Sequence, residues 1–82
     1  MVMQPETEGP YSVGISRIRR LAGMMLIAGY VVHRKVAPGE AYQPKGGYDI
    51  ICHCKSEYRA VEIADLLNVG WQEMREMRLE RG

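Results

Sequence analysis

Charge of one sign is what this chain lacks first. Its 11 Lys and Arg against 10 Asp and Glu leave a net +1 over 82 residues, which argues against the heavily basic proteins that coat nucleic acid through bulk charge. Cysteine occurs only as Cys52 and Cys54, too close together for an unstrained disulfide, so no disulfide framework is expected and the compartment reads as reducing, the cytoplasm. The N-terminus carries Glu6 and Glu8 where a signal peptide has a basic region, and no apolar stretch follows directly; no leader is expected. Long apolar runs are missing as well. The longest, Leu21 to Val32, would make about 18 Å of helix against about 30 Å of hydrocarbon, and therefore reads as a core segment rather than as a membrane span; within it Leu21 to Ala28 is apolar nearly all round and is expected to be covered on several sides.

What is present is an ordinary globular composition, 46% hydrophobic and 26% charged. At this length it supports one small domain and excludes the larger bi-lobed and doubly wound enzyme folds. Residues 1–11, with two prolines and no periodicity, read as a flexible arm ahead of a single domain over 12–82. From Gly14 to Ala28 the residues Ile15, Ile18, Ala22, Met25 and Leu26 follow helical spacing, with Gly29 placed to end the run; a first helix is expected there. Tyr30 to Val36 is β-branched and aromatic, and Tyr48 to Cys54 alternates, so two antiparallel strands are expected, joined by a long Pro- and Gly-rich loop. Ser56 offers an N-cap for a last helix, whose stripe Ala60, Ile63, Ala64, Leu67, Trp71, Met74 and Met77 stays in phase through Gly70. Asn68 and Gly70 could instead stop that helix and start a second piece. The fold class read from the sequence is α+β in the order α-β-β-α, and a two-stranded sheet this small is expected to dimerise.

Chemistry-bearing constellations are scarce. Cys52 and Cys54 share a strand face from which His53 points away, and the spacing is not that of a zinc knuckle, so no metal is expected and the cysteines read as core. His33 and His53 adjoin no Ser or Asp in a recognisable triad and read as exposed strand positions. Gly39, Gly46 and Gly47 lie between strands, whereas phosphate loops lead from a strand into a helix. Neither catalytic residues nor a cofactor are expected, and the chain does not read as an enzyme. The polar feature above background is the basic block Arg17, Arg19, Arg20, Arg34 and Lys35, followed by Lys45, with no acid between residues 11 and 39. It reads either as a solvated face or as a patch for phosphates or an acidic protein. In the last helix the pairs Glu73/Glu76, Arg75/Arg78, Glu76/Glu80 and Arg78/Arg81 are like-signed at neighbour spacing, so its stability must come from Trp71, Met74 and Met77 packing on something.

Tyr48 to Asn68, YDIICHCKSEYRAVEIADLLN, spans 21 residues and resembles the strand, Ser-capped turn and Ala-rich helix of many short accessory proteins of bacteriophages and mobile elements. Small phage inhibitors of bacterial defence, including anti-CRISPR proteins, share this size and lack of catalytic motifs. The resemblance implies a non-enzymatic protein-binding module that covers a surface on a larger macromolecule such as a defence complex. Partner contacts are expected from Arg17, Arg20, Arg34, Lys35 and Lys45, with Trp71 and Met74 as an apolar anchor. Two alternatives stand beside it: a nucleic-acid-binding regulator that uses the basic block and binds weakly and salt-sensitively, and a structural dimer or assembly subunit.

Overall fold

The computed structural model describes residues 2–81, with side chains through Leu79. The fold is α+β. Strands β1 (Tyr11–Leu21), β2 (Met24–Lys35) and β3 (Tyr48–Cys54) form an antiparallel sheet in the order β1-β2-β3, and one helix, α1 (Glu57–Arg81), follows. No described helix is long and apolar enough to cross a membrane.

The expected first helix is a strand hairpin instead. A helix over 14–28 would carry Gly23 in its interior at a cost of about 1 kcal/mol and would crowd β-branched Ile15, Ile18 and Ile27. The chain reverses at Ala22 (φ 50°) and Gly23 (φ 79°). Two successive positive φ values are the mark of a type I′ turn, whose twist matches that of the paired strands. Leu21 then faces Met24, Arg20 faces Met25, Arg19 faces Leu26 and Ile18 faces Ile27, with irregularities in the register around Arg17. The order is therefore β-β-β-α. The strand expected over Tyr30–Val36 is the second half of a longer β2, and the expected pairing of that strand with β3 is present, from Tyr30 opposite Cys54 to Lys35 opposite Tyr48.

Helix α1 begins where Ser56 predicts, its hydroxyl accepting a 3.3 Å hydrogen bond from the Arg59 N–H. It lies on one face of the sheet, and the core is small: Val13, Val32, Ala60 and Ala64, with Tyr30, Cys52, Cys54, Ile63 and Leu67 packed around them. Ala60 and Ala64 are wholly buried, and their short side chains let the helix approach the strands closely. The helix runs without a break through Asn68 and Gly70. Nothing lies within 4 Å of where a Gly70 Cβ would stand, so Gly70→Ala should raise stability by about 0.5–1 kcal/mol in denaturant unfolding. The pairs Glu76/Glu80 and Arg78/Arg81 involve side chains outside the described residues.

The molecule is long, 58 × 25 × 17 Å, because its two ends overshoot the core in opposite directions. Helix α1 starts beside Cys54, which faces Tyr30, and reaches Tyr11, which faces Arg34, by Asn68. It therefore runs away from the hairpin turn, and Trp71 to Arg81 continue past the end of the sheet.

Candidate functional site

The distal hairpin is uncovered. Ile15, Ile18, Leu21, Met24, Met25, Leu26 and Ile27 are all exposed, Leu21, Met24 and Met25 at 61–66%. The expectation that Leu21 to Ala28 is a covered core segment is thus corrected. Its apolar residues sit on a ribbon that projects from the domain, and because strand neighbours alternate between faces, both faces of the ribbon are apolar. Cross-strand pairing gives each face its cation as well: Arg20 stands opposite Met25 on the face of the Ile18/Ile27 pair, and Arg19 opposite Leu26 on the face of the Leu21/Met24 pair. An apolar surface of this extent on a single element is far denser than the scattered exposure of an ordinary soluble surface.

The basic block does not form one patch. Arg17, Arg19 and Arg20 lie on the hairpin, whereas Arg34 and Lys35 close the other end of β2, from about 17 Å away for Arg17 to about 33 Å for Arg20 at the rise of a strand. The separation follows from the fold correction, since a hairpin extends residues that a helix would have folded back. Arg34 is engaged by Glu40 at 3.0 and 3.1 Å, and Glu40 also accepts the Ala37 N–H at 2.7 Å. That N–H first, and Arg34 second, hold the Glu40 carboxyl below its ordinary pKa. Gln43 donates to the Ala37 and Glu40 carbonyls, both at 2.8 Å, so the 37–44 loop is tied to itself. Lys45 opens a short 3-10 turn before β3.

At the opposite end a groove of about 1060 Å³ lies between residues 4–9, the sheet end at Tyr11, Ser12, His33 and Tyr48, and the overhanging turns of α1 with Trp71, Arg75, Glu76 and Leu79. Trp71 is 37% exposed and carries the Arg75 guanidinium 5.6 Å from its ring centre. Met74 is exposed beside it. Both stand outside the core cluster. Trp71→Ala should therefore cost about 1–2 kcal/mol of folding stability, less than the roughly 3–5 kcal/mol of truncating a wholly buried aromatic, checked by denaturant unfolding followed by circular dichroism. His33 is half-buried rather than exposed, stacked on Tyr48 with ring centres 4.2 Å apart. Burial lowers its pKa.

One wall of this groove is the N-terminal segment expected as an arm. The Gln4 side chain donates to the Val13 carbonyl and accepts the Val13 N–H, both at 2.8 Å, in place of a neighbouring strand at the β1 edge. The Thr7 N–H donates to Asp65 at 2.9 Å, Asn68 bonds to both Thr7 and Tyr11, and Gln72 donates to the Glu8 carbonyl at 2.7 Å. Asp65, Asn68 and Gln72 form a polar stripe at helical spacing alongside the apolar one. In the sequence only their helical spacing marks it. The Thr7 hydrogen bonds hold the Asp65 carboxyl below its ordinary pKa. A carboxylate whose pKa is lowered in the folded state contributes stability above its unfolded pKa and loses it as pH falls through the folded value. Docking of this segment should accordingly weaken in acid, below about pH 4. Protection of the Thr7 amide, measured against an open chain at the same pH, should fall there, and Asp65→Ala should lower it likewise at neutral pH.

Cys52 and Cys54 are free, half-buried and packed on the core. Burial first, and the neighbouring Cys52 second, push the Cys54 thiol pKa up, away from reactive thiolate. Among the described residues no three His, Cys, Asp or Glu side chains come together where they could hold a metal ion. Comparison with known protein families, with curated proteins and with solved structures finds no match.

Proposed function

We propose that this protein is a non-enzymatic protein-binding module whose working element is the β1–β2 hairpin. The observation that carries the reading is the projecting ribbon with seven exposed large apolar side chains and Arg17, Arg19 and Arg20 among them. Water is a poor environment for such a ribbon, and an apolar cleft with an acidic rim is a good one. Burying the side chains drives association, less the cost of lost rigid-body and side-chain freedom, and the arginines favour encounter with an acidic rim. A protruding element of this kind is suited to covering a surface on a larger macromolecule, the mode suggested by the resemblance to phage inhibitors. Of the partner contacts expected from the sequence, Arg17 and Arg20 belong to this element; Arg34, Lys35 and Lys45 lie at the base of the sheet, and Trp71 and Met74 at the far end.

Nucleic acid fits the hairpin less well. Nucleic-acid interfaces are polar and strongly cationic, whereas the hairpin carries three arginines against seven large apolar groups. The test compares the wild-type chain with the Leu21→Ser/Met25→Ser variant as baits in bacterial lysate. A protein retained by the wild type, insensitive to nuclease and lost with the variant, is the expected result. Equal retention by both baits, or a nucleic acid as the retained species, would overturn the reading.

A further inference from the structure

The hairpin and the groove lie at opposite ends of a 58 Å molecule, so a chain cannot fill its own groove with its own hairpin. We propose that the groove beside Trp71 receives the hairpin tip of a second copy, so that chains join head to tail. The proposal rests on the hairpin being the binding element, and it assigns the receiving site.

Three observations favour this geometry over a symmetric pairing of two hairpins. Symmetric pairing would bring Arg17, Arg19 and Arg20 of both copies together in a stretch with no acid between residues 11 and 39, and like charges directly opposite on paired strands destabilise them. The groove supplies Glu8 and Glu76 to the arginines, while the one guanidinium among its described lining residues, Arg75, lies over the Trp71 ring. Its lining is also half apolar in character, with Trp71, Tyr48 and Leu79 available to Leu21, Met24 and Met25. Its size, just above the roughly 300–1,000 Å³ that encloses a drug-sized ligand, leaves room for several side chains.

A contact between two different surfaces does not use up its own ends. Each added chain offers a free hairpin and a free groove, so growth continues until a ring closes or a filament forms. Symmetric pairing stops at two. This difference makes the arrangement testable with two variants whose substitutions lie at exposed positions outside the core: Leu21→Ser/Met25→Ser in the hairpin, and Glu76→Arg/Leu79→Arg in the groove.

Sedimentation velocity of the wild type is expected to show species of two and more chains that increase with concentration, accompanied by a shift in the emission of Trp71, the single tryptophan. Each variant alone should sediment as one chain with an unchanged circular dichroism spectrum. An equal mixture of the two should restore association but stop at two chains, because only one intact hairpin and one intact groove meet. A wild type that stays a single chain up to millimolar concentration would overturn the proposal. So would a groove variant that associates as the wild type does, an outcome that leaves the hairpin as the binding element. A hairpin variant that associates as the wild type does would overturn the proposal too, while the hairpin reading itself is decided separately, by whether the two baits retain the same protein.

Discussion

Replacing Asn68 with alanine is expected to lower folding stability by about 2–4 kcal/mol and the melting midpoint by roughly 10–30 °C. Asn68 is wholly buried, with both amide N–H groups and the amide oxygen hydrogen-bonded. Its oxygen accepts the Tyr11 N–H, and its nitrogen donates to the Thr7 and Tyr11 carbonyls, all at 2.9 Å. Alanine leaves one backbone donor and two acceptors, on half-buried Thr7 and Tyr11, without protein partners unless residues 4–10 lift away. The whole stability of a chain this long is about 4–12 kcal/mol, so the loss takes a large share of it. Close contact adds a second route to the same result. A Cβ on Gly9 would stand 2.2 Å from the Asn68 oxygen, so Gly9→Ala should displace the same segment. Asn68→Asp separates hydrogen bonding from shape. It keeps the acceptor but loses both donors and buries a charge, so at neutral pH it should be at least as damaging as alanine. Burial raises the pKa of such a carboxyl above its unfolded value, so the variant should recover stability as pH falls through that raised value and the group becomes neutral. Thermal melts of the three variants across pH check the set.

How much of this was legible in the sequence differs by element, for physical reasons. Helix α1 was readable because Ser56, Ala60, Ile63, Ala64 and Leu67 encode its cap and its buried stripe locally. Strand β3 and its pairing with Tyr30–Val36 were readable because alternation survives wherever one sheet face is buried and the other is not. The distal hairpin was not. Its turn is Ala22-Gly23 rather than Asn-Gly, so the strongest short-range hairpin signal is absent. Its apolar residues follow no two-residue alternation, because neither face of the ribbon meets a core. In that situation Ile15, Ile18, Ala22 and Met25 match helical spacing by coincidence, and the argument that apolar runs must be buried assigns them inside. The candidate site inherits the same error: Arg17 and Arg20 were recognised, while the apolar ribbon around them was assigned to the core. The groove was hidden for another reason. It depends on residues 4–9 packing on Asp65, Asn68 and Gln72, contacts about sixty positions apart along the chain, which no local window sees.

Ala64→Leu should cost about 1–3 kcal/mol, because it enlarges a side chain where the helix and the sheet already touch. Ala64 is wholly buried in the same cluster as Val13, Val32 and Ala60, and the added carbons have no route to solvent. The helix must move outward or the leucine must leave its preferred rotamer. Leu66→Ala is the control: Leu66 is 65% exposed two residues away, and its truncation should stay within about 0.5 kcal/mol. The consequence reaches the groove, because Asn68 follows Ala64 by one turn of the same helix and Trp71 by two. A helix pushed off the sheet carries both away from residues 4–11. In Ala64→Leu the Thr7 and Tyr11 amides should therefore exchange faster, and Trp71 emission should shift to the red as its surroundings become wetter. If stability fell by the expected amount while the Thr7 and Tyr11 amides and the Trp71 emission stayed as in the wild type, the helix would be absorbing the leucine without moving. The groove would then be set by the Asn68 contacts alone, independently of how closely Ala60 and Ala64 hold α1 to the strands.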